Sequence, residues 1–158
     1  MEFVEVSASS PARLREKVVK LLIEEMIIVK GRSADCPSYT SLEEHVMKAM
    51  ELILDRHSPS HLFSLVDDNV PVSVCLANLA CGVESGGWYL WINEIYVASE
   101  KRTKGIGKKM ATSVVEWAKE RGCRYVAGIT WKENEASQKL FKSCGFSAEE
   151  VIWLDKEL

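Results

Sequence analysis

The chain lacks most features that would commit a protein to a special partner or environment. It has no excess of basic residues: 20 Lys and Arg stand against 23 Asp and Glu, a net charge of −3, so it carries no nucleic-acid footprint. It has no apolar run of membrane-spanning length without polar interruption. Its start, Met1-Glu-Phe-Val-Glu-Val6, has neither the basic segment nor the apolar core of a secretory signal. The five cysteines are an odd count with no Cys-x-x-Cys, which argues for reduced thiols in a cytoplasmic protein. The final Asp155-Lys156-Glu157-Leu158 scrambles the order of an ER-retention signal. His57 and His61 have a metal-like spacing, but Pro59 between them breaks the helix that spacing would need, so no metal site is expected. Repeats, low-complexity tracts and linkers are absent as well.

What is present is an ordinary globular composition. At 158 residues, 47% apolar and 27% charged, the chain is expected to form one domain over 1–158 with a real core. Its densest stretch is Trp88 to Trp117. The aromatic and β-branched run Trp88–Val97 reads as a strand. A polar loop with Gly105 and Gly107 follows, and then Met110, Val114 and Trp117 recur at helical spacing. Strand, glycine loop, helix turns unpartnered N–H groups toward an anion, and the helix dipole adds positive potential there. Lys101, Arg102, Lys104, Lys108 and Lys109 surround the loop, so a pyrophosphate is expected on it. It is not a dinucleotide fingerprint, because Met110 stands where the third glycine belongs; nor does Thr103 to Lys109 supply a P-loop.

The remaining elements follow from local signals. Phe3–Ser7 alternates as a short strand, and Ser10-Pro11 opens a helix running to about Lys30, stopped by Gly31. After a polar loop with Asp35, Cys36 and Tyr39, Ser41-Leu-Glu-Glu44 is a capping box for a second helix ending near Asp55. His61–Val66 and Val70–Ala80 are strands joined by Asp67-Asp68-Asn69. Gly122 stops the glycine-loop helix, Tyr125–Thr130 is a strand, and Asn134 opens a last helix ending at Cys144-Gly145. Phe146 and Val151–Leu154 complete the list as final strands. The order β-α-α-β-β-β-α-β-α-β-β describes one α/β domain with a mixed sheet.

Two motifs carry a family resemblance. Arg102-x-x-Gly105-x-Gly107, five residues after the strand-ending Val97, resembles the acetyl-CoA segment of the GNAT superfamily of N-acetyltransferases. Asn134-Glu-Ala-Ser137-Gln-Lys-Leu-Phe141-Lys-Ser-Cys-Gly145-Phe146 is similar to that family's segment over the last helix. Around Glu94-Ile-Tyr-Val97 the local similarity is to spermidine/spermine N-acetyltransferases, although Asn93 stands where those often carry an acid.

The resemblance implies a GNAT-like acyl-CoA N-acyltransferase fold, a mixed and mostly antiparallel sheet flanked by four helices. It implies acetyl-CoA as cosubstrate, no metal, and a small-molecule or peptide amine as acceptor, with no nucleic-acid or membrane partner; a homodimer is compatible with it. Ile95, Tyr96 and Val97 would offer backbone to the pantetheine arm. The loop residues Arg102, Thr103, Lys104, Gly105, Ile106, Gly107 and Lys108 would hold the pyrophosphate. Asn134, Ser137 and Phe141 would complete the cofactor side, and Tyr39, Trp91 and Asn93 the acceptor side. Glu94 is the acid on the strand, read as general base or water relay, or as an anchor for the substrate ammonium, or as a solvated strand residue. Trp88 and Trp91 fall on opposite faces of a regular strand, one expected in the core, the assignment depending on any bulge.

Two departures bear on mechanism. Phe141 stands where the family often places a Tyr acid, and a phenyl ring cannot donate a proton; Tyr39, Ser137 or Cys144 are the alternatives, or water. Thr103 replaces a family glycine. Two function classes therefore stay open: an N-acetyltransferase moving acetyl to a primary amine, or a degenerate acetyl-CoA-binding sensor that has lost catalysis.

Overall fold

The computed structural model describes residues 1–28, 41–152, 154 and 156. Strand β1 (Glu2–Val6) is followed by helices α1 (Ala12–Ile28) and α2 (Leu42–Ile53). The Ser10 hydroxyl, expected to cap α1, accepts instead from the Ser7 N–H at 3.0 Å. The Pro11 carbonyl takes the first helical N–H groups, from Leu14 and Arg15, so the cap falls one residue later. Ser41 does cap α2, its hydroxyl accepting from the Glu44 N–H at 3.1 Å.

Strands β2 (Ser60–Asp67) and β3 (Val70–Gly82) form the expected hairpin. Asp68 and Asn69 take φ 48° and 63°, the left-handed pair that a two-residue turn between right-twisted strands requires. Then come β4 (Gly87–Val97), a 3₁₀ turn (Ser99–Lys101), α3 (Ile106–Glu120), β5 (Val126–Gly128) and α4 (Glu135–Ser143). The sheet order is β1-β2-β3-β4-β5, antiparallel throughout except for the parallel pair β4–β5.

Helices cover both faces, which gives two cores. On one, Ile106, Met110, Val114 and Trp117 of α3 pack on Phe63, Leu65, Leu90 and Ile92. On the other, Val18, Leu22, Val46 and Met50 of α1 and α2 pack on Val6, Leu62, Val74 and Tyr96.

The helix ends explain two glycines. Past α3, Gly122 (φ 73°) donates to the Lys119 carbonyl and Cys123 to that of Ala118. Past α4, Gly145 (φ 86°) donates to Lys142 and Phe146 to Phe141. Both are Schellman motifs, which need a residue in the left-handed region and favour an apolar contact across the cap. At α4 that contact is Phe141 against Phe146, ring centroids 5.0 Å apart.

The expected final strands do not form among the described residues. Phe146 is spent on the cap of α4, and Val151, Ile152 and Leu154 are 67%, 87% and 85% exposed. An apolar run becomes a strand only when a neighbour pairs with it, and the outermost strand, β5, is three residues long. The four described cysteines, Cys75, Cys81, Cys123 and Cys144, are free thiols; Cys36 lies outside the described residues. Among those residues no helix is long and apolar enough to cross a membrane.

Candidate functional site

The site is made by a parting of strands. β4 and β5 pair at only three positions, Leu90–Val126, Trp91–Ala127 and Ile92–Gly128. Beyond Ile92, β4 runs on to Val97 while β5 has ended. The backbone groups of Asn93–Val97 that point away from β3 therefore border an opening instead of a ladder. Gly128 sits where the strands separate, and a Cβ on it would come within 2.9 Å of the Ile92 carbonyl oxygen. Only glycine lets the two backbones meet this closely before they diverge.

A bulge aims the side chains at the same place. Leu76 pairs with Glu94 but Ala77 with Ile92, so Asn93 is an extra residue in β4. In a regular strand Trp91 and Glu94, three apart, would face opposite ways. Here Trp91 pairs with Asn78 and Glu94 with Leu76, two apart on β3, so both lie on the α1–α2 face with Tyr96. Neither tryptophan enters the core as expected: Trp88 is 50% exposed at the turn end of the β3–β4 hairpin, and Trp91 is partly buried. Cys75, fully buried beside Ile95 in the sheet, has its thiol pushed far up by burial, with Glu25 and Glu94 adding to the effect. It is a core group and cannot serve as a nucleophile.

Past Val97 the chain turns into the glycine loop. Gly105 is the N-cap of α3 with φ 75°, and it provides no side-chain cap, so the first N–H groups of α3 have no helical or capping acceptor. Gly107 is required for another reason: a Cβ there would meet Leu140 of α4 at 3.3 Å and Val97 at 3.7 Å. It holds α3 against α4 and β4. Thr103, in the family's glycine position, has φ 63°, strained backbone for a β-branched residue, and its hydroxyl donates to the Arg102 carbonyl at 2.6 Å. Arg102 lies with its guanidinium 5.1 Å from the Tyr96 ring centroid, its Nε donating to the Val97 carbonyl at 3.2 Å. Lys109, expected beside the loop, donates instead to the Met1 carbonyl at 2.8 Å.

Asn134 caps α4, its side-chain oxygen accepting from the Ser137 N–H at 3.1 Å. With Arg102, Ile28, Trp131 and Glu133 it lines a cleft of about 500 Å³, built from the end of α1 and from residues that follow β4 and β5 in the chain. Trp131 is 69% exposed there. A larger groove, about 620 Å³, runs along α3 toward Phe3 and shares Gly105 and Lys108 with the loop, but it meets neither Glu94 nor α4. Tyr39 lies outside the described residues.

Glu24 of α1 ties this region together. Its Oε1 accepts from the Tyr96 hydroxyl at 2.7 Å, the Ser99 hydroxyl at 2.8 Å and the Ser99 N–H at 3.3 Å. Burial raises the Glu24 carboxyl, but the hydrogen bonds from Tyr96 and Ser99, with Arg102 nearby, outweigh it and hold it below the ordinary value. Burial likewise pushes the Tyr96 phenol up. Sequence reasoning missed Glu24, Gly128 and Trp131. Only Gly128 left a signal, as an isolated glycine within the strand-like Val126-Ala-Gly-Ile-Thr130.

His57 and His61 go to separate partners, His57 accepting from Arg56 and His61 bonding Glu5 at 2.7 Å. Among the described residues no group of three or more His, Cys, Asp or Glu could hold a metal ion.

Residues 28–146 match the profile of the Acetyltransferase (GNAT) family. The chain belongs to this family of acetyltransferases. Among relatives of this GNAT acetyltransferase, aminoglycoside N(6′)-acetyltransferase type 1 of Serratia marcescens is 30% identical over 134 residues, 80% of this chain and 88% of that protein. The enzyme of that name from Salmonella typhimurium is 27% identical over 118 residues, 72% of this chain and 80% of that one. Among solved structures, an aminoglycoside acetyltransferase from an uncultured soil metagenomic sample, in complex with sisomicin, superposes with TM-score 0.76 at 17% identity, covering 99% of this chain and 95% of that one. Aminoglycoside N-acetyltransferase AAC(6′)-Iy in complex with CoA gives 0.73 at 21% identity, with coverages of 99% and 95%. The fold is that of a GNAT enzyme.

Proposed function

We propose that this acetyltransferase moves the acetyl group of acetyl-CoA to a primary amine on a small polar molecule of the aminoglycoside kind, by direct attack on the thioester. The observation that carries the reading is the β4 tail, open toward β5 and ending at the uncapped start of α3. An extended amide-bearing arm needs free strand backbone, and a pyrophosphate needs clustered N–H donors. In this reading Ile95, Tyr96 and Val97 hold the arm, and Arg102 to Lys108 the pyrophosphate. Asn134, whose oxygen is used in capping, keeps its NH₂ to donate toward the arm. Ser137 and Phe141 shape the wall beside it. The aminoglycoside relatives support the acceptor class, and the aromatic Trp91 with Asn93 and Glu94 suits a polar, cationic acceptor.

The amine must shed a proton before it can attack, and in this reading Glu94, which the bulge puts on the same face as Trp91, takes it directly or through water. The thiolate leaves with a reference pKa of about 8.5, so it needs an acid less than the amine, near 10, needs a base. Phe141 is consistent with that: it packs on Phe146 and donates nothing. The test is acetyl-CoA consumption across aminoglycosides, polyamines, amino acids and peptides with free N-termini. Glu94→Gln is expected to lower kcat/KM roughly tenfold or more, the deficit shrinking as pH rises and free amine accumulates. If acetyl-CoA binds but no acceptor consumes it, the second reading holds: a binding module without transfer, for which Phe141 in place of a phenol is the specific observation.

A further inference from the structure

We infer that Glu24, on α1 and outside both sequence motifs, is a positioning residue for the cofactor loop, fixing the turn that presents Arg102 to the pyrophosphate. The inference rests on the reading above, in which that loop binds acetyl-CoA. Three donors converge on one carboxylate oxygen, Tyr96 from the strand before the loop and both the hydroxyl and the amide of Ser99 from the turn inside it. The Tyr96 hydroxyl also lies 3.2 Å from that of Ser99, closing a triangle. Arg102 follows at once, its N–H reaching back to the Ser99 carbonyl and its guanidinium over the Tyr96 ring. The two supports of Arg102, the ring beneath it and the turn before it, are thus both pinned by Glu24.

A carboxylate beside an anion site needs such a reason. Its charge opposes the phosphates, and on α1 it stands beside the core residues Leu21 and Leu22 and the buried Glu25. Its hydrogen bonds fix the backbone from Tyr96 to Arg102, which contains the last strand residues and the first loop residues of the proposed cofactor path. Preorganised donors bind a phosphate without a conformational penalty at the moment of binding. Loss of the clamp should therefore weaken acetyl-CoA binding and leave the acceptor-side groups flanking the bulge, Glu94 and Trp91, where they are.

The experiment measures the acetyl-CoA dissociation constant by calorimetry, with KM and kcat for whichever amine the acceptor screen identifies, in wild type, Glu24→Ala, Glu24→Gln and Ser99→Ala. Glu24→Ala is expected to raise Kd and KM for acetyl-CoA about tenfold, on the order of one lost charge-assisted hydrogen bond, with kcat at saturation within about twofold. Glu24→Gln, which keeps an acceptor oxygen, is expected to recover part of the affinity. Ser99→Ala should weaken binding in the otherwise wild-type protein and cost less when added to Glu24→Ala, because the Ser99 hydroxyl's bond to Glu24 is already gone there while its contact with Tyr96 remains. A merely structural role would lower the melting temperature or kcat of these variants and leave Kd unmoved, which would overturn the inference. Unchanged or tighter binding in Glu24→Ala, with wild type binding normally, would overturn it while leaving the proposed function standing. Failure of wild type to bind acetyl-CoA would remove both.

Discussion

Gly128→Ala adds a single methyl group at the point where the sheet opens. That methyl would lie 2.9 Å from the Ile92 carbonyl oxygen and 3.4 Å from the Ile92 Cβ. The nearer atom is backbone and cannot rotate away, so β5 must move off β4 by several tenths of an ångström. The β4–β5 ladder has only three pairs to absorb that shift. Overpacking of this kind costs about 1–3 kcal/mol, and alanine's smaller unfolded-state entropy returns about 0.4–1 kcal/mol. The net loss is therefore at most about 2.6 kcal/mol and centred near about 1.3 kcal/mol, a fall in melting temperature of roughly 3–5 °C for a chain of this size. Gly82→Ala serves as the control, because its Cβ would meet only side-chain atoms at 3.5 and 3.6 Å. Differential scanning calorimetry of the two variants, with acetyl-CoA titrations, should show Gly82→Ala near wild type and Gly128→Ala less stable with weaker binding. Equal stability and equal affinity in Gly128→Ala would refute the claim that the opening depends on this close approach.

Thr103→Gly should relieve a left-handed residue worth about 1–2 kcal/mol, against about 0.5–1 kcal/mol for glycine's freedom in the unfolded chain. A gain of up to about 1.5 kcal/mol in urea denaturation is expected, and a clear loss would mean the Thr103 hydroxyl contributes more than the strain costs. A different side of the fold is sensitive to acid. The hydrogen bond from His61, with those from Trp117 and the charge of Arg121, holds the Glu5 carboxyl below its ordinary 4.5 against the opposing effect of burial. Its contribution is then fully present above about pH 4.5 and lost as pH falls through the lower folded-state value. Glu5→Gln should flatten the decline of stability below pH 4.5; denaturant midpoints that fall as steeply as in wild type would contradict this.

The parts of this fold legible in the sequence are those with local causes. Asp68-Asn69 forms the turn its residues favour, α3 follows its apolar stripe, and Gly122 and Gly145 end helices as left-handed residues. Family motifs marked the loop and α4 because each motif lies within one short contiguous segment. What was not legible depends on neighbours. Whether Trp91 and Glu94 share a face is decided by one extra residue at Asn93, which no propensity distinguishes. Val151 to Leu154 has the composition of a strand, yet composition cannot say whether a partner strand is present. Glu24 reads as one more acid on an amphipathic helix, since its three donors come from residues 72 and 75 positions away. Gly107 stood out only as part of the glycine loop; that a Cβ there would also meet Leu140 of α4 depends on a distant neighbour and left no local signal.

The central claim is that acetyl-CoA is held where β4 runs free into the loop at the start of α3, with Arg102 on its pyrophosphate. Calorimetric titration of acetyl-CoA into wild type and Arg102→Ala tests it directly. A charge-assisted contact to phosphate is worth about 1.5–3 kcal/mol, so the account predicts saturable binding to wild type and affinity roughly tenfold to a hundredfold weaker in the variant. Equal affinity in the two proteins would contradict it.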